Sequence, residues 1–188
     1  MYKIFISGSM RIKNLDKKVI NRIDNIIESK YQVIVGDANG VDSSIQSYLQ
    51  SKTVDSVTIY CTGSQPRNNH GKWLVKRVET DKKPGTRAYF TAKDISMAED
   101  CDYGLMIWDS KSTGTLSNVL ELLDQNKPSL IFVNKQKKFY KIVTILEFEQ
   151  LITVMSESAF IKADKKINLT NKIHKLKNIQ LNLFETNH

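Results

Sequence analysis

The sequence predicts a doubly wound α/β domain: a mainly parallel sheet of five strands, helices on both faces, and a basic C-terminal extension. Short apolar runs alternate with segments of helical periodicity, the pattern of successive βα units. Three of those runs end in small, glycine-bearing turns that lead straight into a helix pattern. A chain of 188 residues is long enough for one such core with a modest appendage.

Taken in order, Tyr2 to Ile6 is the first strand, closed by Ser7-Gly8-Ser9. A helix follows with Leu15, Val19, Ile23, Ile26 and Ile27 on one face, and Asn14 and Asp16 suit its start. Tyr31 to Val35 is the second strand, closed by Gly36-Asp37-Ala38-Asn39-Gly40; the next helix carries Val41, Ile45, Tyr48 and Leu49. Ser56 to Cys61 is the third strand. Residues 62–85 then break the pattern around Trp73 to Val78, which reads as an edge hairpin in a loop long enough to be functional. A third helix runs from about Arg87 to Glu99. Strand four, Tyr103 to Trp108, opens into Asp109-Ser110-Lys111-Ser112-Thr113-Gly114-Thr115. A fourth helix follows with Leu116, Val119, Leu120 and Leu123, and Ser129 to Val133 is strand five. Thr144 to Glu147 matches a capping box that starts a last helix. The α/β domain is expected to span residues 1–156. Residues 157–188 form either a docked helix, with Leu169, Ile173, Leu176 and Leu183 on one face, or a mobile tail.

No apolar run approaches the roughly 20 residues that span a bilayer, and the N-terminus reads as a core strand, so a cytoplasmic protein without membrane association is expected. Cys61 and Cys101 read as buried reduced thiols, and no histidine clusters with them. Neither a metal nor another cofactor is expected. The net charge of +8 is concentrated in residues 67–87, in Lys135, Lys137, Lys138 and Lys141, and in the C-terminal extension. Such charge suits an anionic partner.

In a doubly wound sheet, ligands collect beyond the carboxyl ends of the strands. Ser7-Gly8-Ser9, Gly36 to Gly40, and Ser112-Thr113-Gly114-Thr115 would all lie there. Their glycines let the backbone approach a ligand, and the free amides of the following helix starts favour an anion. Neither a P-loop nor a G-x-G-x-x-G fingerprint is present.

Gly36-Asp37-Ala38-Asn39-Gly40-Val41-Asp42 resembles the G-G-A-x-G-x-D loop of the SLOG superfamily, with Asp37 where glycine is usual. That superfamily is the Rossmann-like fold shared by DNA-processing protein A, the YspA-like proteins and the Lonely-Guy phosphoribohydrolases. Ile6-Ser7-Gly8-Ser9 is similar to its first G-S loop. Asp94 through Ile107, with Asp109 and Gly114-Thr115, resembles a segment shared by nucleoside 2-deoxyribosyltransferases and Lonely-Guy enzymes. The resemblance covers residues 1–134. It implies a nucleotide or nucleotide-sugar ligand over the three loops. It also implies a catalytic glutamate three residues after the Thr of the Gly-Thr loop, where this chain has Asn118, a side chain able to bond a ribose hydroxyl but unable to act as a carboxylate nucleophile.

Among carboxylates, Asp37, Asp42 and Asp109 share the sheet edge; Asp37 and Asp109 are the candidate catalytic pair, and Asp42 and Asp109 equally suit helix-capping and turn roles. In Arg67-Asn68-Asn69-His70-Gly71-Lys72-Trp73, an arginine fork suits phosphate, Asn68 a base or ribose edge, and Trp73 either stacking or core packing. Arg87 and Asp94 meet the ligand or each other. Three functions stay open. The first is binding of a phosphate-bearing nucleotide derivative by a sensor, carrier or sequestering protein. The second is N-glycosidic hydrolysis or transfer, and the third, ranked last, is single-stranded DNA binding. A homo-oligomer is expected.

Overall fold

All five expected strands form, and two more flank them. The structure, a computed structural model, describes the backbone of residues 1–185 and the side chains through Ile179. The strands are β1 (Lys3–Gly8), β2 (Gln32–Gly36), β3 (Val57–Thr62), β4 (Leu74–Val78), β5 (Tyr103–Trp108), β6 (Ser129–Val133) and β7 (Lys138–Ile142). They lie in the order β4-β3-β2-β1-β5-β6-β7. Every neighbouring pair is parallel except β6 and β7. The segment expected as an edge hairpin is instead a single parallel edge strand, β4, with Leu74 opposite Thr58. The basic patch at Lys138 and Lys141 conceals β7, whose Phe139 and Tyr140 sit opposite Phe132 and Ile131 while Lys138 and Lys141 stay exposed.

The helices are α1 (Lys17–Glu28), α2 (Val41–Ser51), α3 (Arg87–Asp100), α4 (Thr113–Asp124), α5 (Ile145–Ile152), α6 (Glu157–Ile167) and α7 (Leu169–Glu185). Two cores separate the layers. On one face, Val19 and Ile23 of α1 and Ile45 and Leu49 of α2 pack on Ile4, Ile6, Val33 and Val35. On the other, Met97 of α3, Leu116 and Leu120 of α4 and Phe148 of α5 pack on Phe5, Ile34, Met106 and Trp108. Ala163, Ile167, Leu169, Ile173 and Leu176 join this second core, so the C-terminal extension is two docked helices. Leu183, expected on the same apolar face, lies outside the described side chains.

The chain runs outward from β1 to β4 and then returns to place β5 on the opposite side of β1, where Phe5 faces both Ile34 and Gly104. That reversal sends the helices after β1 and β5 to opposite faces of the sheet and opens a crevice at its carboxyl end. Helix caps mark the same place. Asp16, Thr86 and Ser156 cap α1, α3 and α6, and Thr144 with Glu147 forms the expected capping box on α5. Helices α2 and α4, which start at the crevice, have no side-chain cap.

Candidate functional site

The crevice is a cavity of about 830 Å³. Of the residues expected to bind a ligand, Ser7, Gly8, Ser9, Ala38, Asp42, Arg67, Asp109, Ser112, Thr113, Gly114, Thr115 and Asn118 line it. Gly36, Asp37, Gly40, Asn68 and Trp73 are not among its lining residues.

Its floor is built where β1 meets β5. Gly8 has no room for a side chain: a Cβ would stand 2.2 Å from the Ile107 carbonyl oxygen and 2.9 Å from Val41 Cγ2. The Ser9 amide donates to that same carbonyl at 2.9 Å. The Ser9 hydroxyl donates to Asp109 Oδ2 at 2.8 Å. The other Asp109 oxygen accepts the Lys111 and Ser112 amides at 3.0 and 2.6 Å. Asp109 therefore shapes its own turn and ties it to the β1 turn. Trp108 Nε1 donates to Ser112 O at 3.1 Å and fixes the residue that precedes α4. The first-turn amides of α4 then open on the cavity without a side-chain cap. Gly114 sits in that turn, and a Cβ added there would meet nothing within 4 Å. Packing within the protein does not require a glycine at this position. One turn on, Asn118 is buried and donates to Ser7 Oγ at 3.4 Å.

A charge cluster forms the wall toward β2. Asp42, in the first turn of α2, is only 3% exposed, and its Oδ1 has no hydrogen-bond partner. Lys93 on α3 is 4% exposed, and its Nζ donates to Asp94 Oδ1 at 2.7 Å. Gly36 makes the space for both: a Cβ there would lie 2.5 Å from Asp42 Oδ2 and 2.6 Å from Lys93 Nζ. Burial pushes the Asp42 carboxyl up to about 6; Lys93 opposes the rise, while Asp94 and Asp37 add to it. Burial also penalises the Lys93 charge, yet Asp94, Asp42 and Asp37 outweigh it and hold its pKa above the ordinary lysine value.

Asp37 faces Arg67. Arg67 Nε donates to Asp37 Oδ2 at 3.0 Å and its Nη2 to Oδ1 at 2.7 Å, and the Arg67 amide adds a third bond at 3.0 Å. Burial opposes ionisation of Asp37, but these bonds prevail and keep its carboxyl below the usual range. The guanidinium lies 4.8 Å from the centre of the Phe90 ring, which also lines the cavity. Asn68 donates to Asp37 O at 2.8 Å and braces the β2 turn from behind. Trp73 packs on the α1–α2 side of the sheet, its Nε1 donating to Val54 O at 2.7 Å.

Several lining residues escaped the sequence reading. Lys93 had a signal: it stands four residues before buried Met97, so helical periodicity puts it on the buried face of α3, an unusual place for lysine. Arg87 and Asp94 do not pair with each other. Arg87 donates to Thr113 Oγ1 at 3.0 Å and Ser117 Oγ at 3.3 Å, whereas Asp94 takes Lys93. The far wall comes from α6 and its capping residue, through Ser156, Ser158, Ala159, Lys162 and Lys166. Nothing in the α/β pattern of the preceding strands and helices signals this contribution. The lining holds six basic side chains, Arg11, Arg67, Lys93, Lys111, Lys162 and Lys166, against the acids Asp42, Asp94 and Asp109. The balance favours an anion. Among the described residues, no group of three or more His, Cys, Asp or Glu is placed to hold a metal ion, and no helix is long and apolar enough to cross a membrane.

No family model matches the chain, and no curated protein sequence matches it. Among solved structures, the chain is similar to DNA processing protein A from Helicobacter pylori, with a TM-score of 0.53 at 20% identity over 69% of this chain. That structure describes a single-stranded DNA binding mode of the Helicobacter protein. The chain spans 64% of its length. At this identity the likeness is one of architecture, and this chain carries a fold like that of DNA processing protein A.

Proposed function

We propose that the protein binds a phosphate-bearing nucleotide or nucleotide-sugar derivative in this cavity, as a sensor, carrier or sequestering protein of the SLOG kind. One observation carries the reading: α4 opens on a predominantly basic cavity with its first-turn amides uncapped and with a glycine that packing does not require. A helix start of this kind holds a phosphate through its amides and dipole. The resemblance of Gly36 to Asp42 and of Gly114-Thr115 to the SLOG loops supports the same ligand class. Of the acids expected to be catalytic, Asp109 has both oxygens taken by the β1 and β5 turns, and Asp37 has both taken by Arg67. With Asn118 where a catalytic glutamate would stand, binding is favoured over N-glycosidic chemistry.

Thermal melts with adenosine diphosphate ribose and with nucleoside mono- and diphosphates test the reading. A ligand at a hundred times its Kd stabilises by about 2.7 kcal/mol, roughly 5–11 °C for a chain of this size. No shift with any of these compounds would overturn it.

Single-stranded DNA binding is the second reading, favoured by the likeness in fold to DNA processing protein A and by the net charge of +8. Opposing it, α6 walls the cavity, and Phe90 is the one aromatic ring among the lining residues, with Arg67 already against it. A polymer contacting several phosphates would lose affinity steeply between 50 and 200 mM salt, by about tenfold or more for each few contacts, whereas a compact ligand would not.

A further inference from the structure

Two buried side-chain oxygens among the described residues lack a hydrogen-bond partner, Asp42 Oδ1 and Ser129 Oγ. Ser129 sits on β6 beside Gly104 of β5 and does not line the cavity; Asp42 does. A carboxylate accepts several hydrogen bonds and is rarely left short of donors when buried. The charged neighbours of Asp42 do not supply the missing donor. Lys93 faces its Oδ2 across Gly36 and is bonded to Asp94, while Arg67 is bonded to Asp37.

The missing partner has a definite chemistry. It is a donor, and it is not an anion, because Asp42 and Asp94 both line this wall. A phosphate is therefore directed to the α4 start, and a hydroxyl-bearing part of the ligand to Asp42. The hydroxyl belongs close to the phosphate. Val41, the residue before Asp42, reaches to within 2.9 Å of where a Cβ on Gly8 would sit, so Asp42 adjoins the β1 turn of the phosphate floor. In a nucleotide the sugar occupies that place, and the base lies farther out.

We infer that Asp42 accepts a hydrogen bond from a ribose hydroxyl of the ligand, so that the cavity selects ribonucleotides over their 2′-deoxy counterparts. The inference rests on reading the cavity as a nucleotide site. It makes Asp42 a specificity-determining residue, and it gives a physical reason for keeping a carboxyl buried with one oxygen unsatisfied.

Calorimetric titration of the full chain tests it, using ribose 5-phosphate against 2-deoxyribose 5-phosphate and the four ribonucleoside diphosphates against their 2′-deoxy forms. The wild-type protein should prefer the ribo member of each pair it binds by about 10- to 100-fold, the range of one hydrogen bond to a charged group. Asp42→Ala, which removes the acceptor altogether, should bring that ratio near one. Equal binding of both members by the wild-type protein overturns the inference and leaves the phosphate site standing. An unchanged ribo preference in Asp42→Ala also overturns it and points to Asn118. A variant that loses preference among bases while keeping its preference for ribose shows that a base amino group is the donor, which overturns it too. Failure of all ten compounds to bind overturns the nucleotide reading and this inference together.

Discussion

Replacing Asp42 by asparagine should make the protein more stable at neutral pH. Its carboxyl is fully enclosed and has a pKa of about 6 in the folded chain against an ordinary 3.8. A shift of about two units corresponds to about 3 kcal/mol of penalty on the ionised form. The sign follows from the direction of the shift. With the folded pKa raised, the stability contributed by protonated Asp42 is fully present below pH 3.8 and is lost as the pH rises through about 6. Above neutrality the folded chain bears the whole cost of a buried carboxylate. Asparagine keeps the shape and carries no charge, so it escapes that cost. Part of the gain is offset, because Lys93 loses one of the carboxylates that hold its charge, although it keeps Asp94 at 2.7 Å. Losing that attraction costs about 1 kcal/mol, the size of a modest hydrogen bond. A net stabilisation of about 2 kcal/mol at pH 8, or roughly 4–8 °C in Tm, is expected, falling toward zero by pH 4. Urea denaturation of both proteins at pH 4, 5, 6, 7 and 8 measures it. If Asp42→Asn is instead less stable at pH 8, or differs by the same amount at every pH, then Asp42 is an ordinary member of a structural ion cluster and the reasoning fails.

Gly114→Ala should leave stability unchanged or raise it by up to about 1 kcal/mol, because alanine suits a helix better and its Cβ meets nothing in the protein, yet it should weaken nucleotide binding at least tenfold; calorimetry alongside urea denaturation separates the two effects. Asp109→Ala should release the β1 and β5 turns from each other, costing about 1–3 kcal/mol of stability and most of the binding, and a loss of either one alone would contradict the tie between them. The double variant Lys162→Ala, Lys166→Ala should weaken binding of diphosphates more than of monophosphates, read as two dissociation constants, with little change in Tm. Asp37→Ala should lower stability by about 1–3 kcal/mol at pH 7 and progressively less as pH falls through the depressed Asp37 pKa, since its contribution is present above the unfolded value of 3.8 and is lost on protonation; urea midpoints at pH 7 and pH 3 check this.

What the sequence made legible follows from which forces act locally. The five central strands are nearly continuous apolar runs because both of their faces are covered, and such runs stand out. The edge strands did not stand out, for the opposite reason. β4 reads Leu-Val-Lys-Arg-Val with Leu74 74% exposed, and β7 reads Lys-Phe-Tyr-Lys-Ile, so each presents solvent-facing charge that blurs a strand pattern. Among site residues, the turns after β1 and β5 were legible because small polar residues at the ends of buried strands have few other uses. The roles of Asp37, Trp73 and Lys93 were not legible. Each depends on a partner distant in sequence, namely Arg67, Val54 and the Asp42–Asp94 pair. The contribution of α6 to the cavity is likewise a tertiary fact, since amphipathic periodicity announces a docked helix without saying what lies beneath its N-terminus.

The features that lack partners in this protein bear on function because they are exceptions and because they coincide. Four helices have side-chain caps, so leaving α2 and α4 bare is a departure from the chain's own habit. The orphaned carboxylate oxygen of Asp42 lies in the first turn of one bare helix, and the unneeded glycine lies in the first turn of the other. Chance would scatter such exceptions over the surface. Ser129 Oγ shows what an isolated one looks like: a neutral hydroxyl, cheap to leave unbonded, away from any cavity. A compact ligand carrying an anion at one end and a hydroxyl donor next to it satisfies both helix starts at once without moving α6. A DNA strand would bring Asp42 no sugar hydroxyl along its length, because its 2′ positions carry none. The single-stranded DNA reading therefore gives the buried carboxylate a partner only at bases that carry an amino group, whereas a small ribonucleotide supplies one with any base.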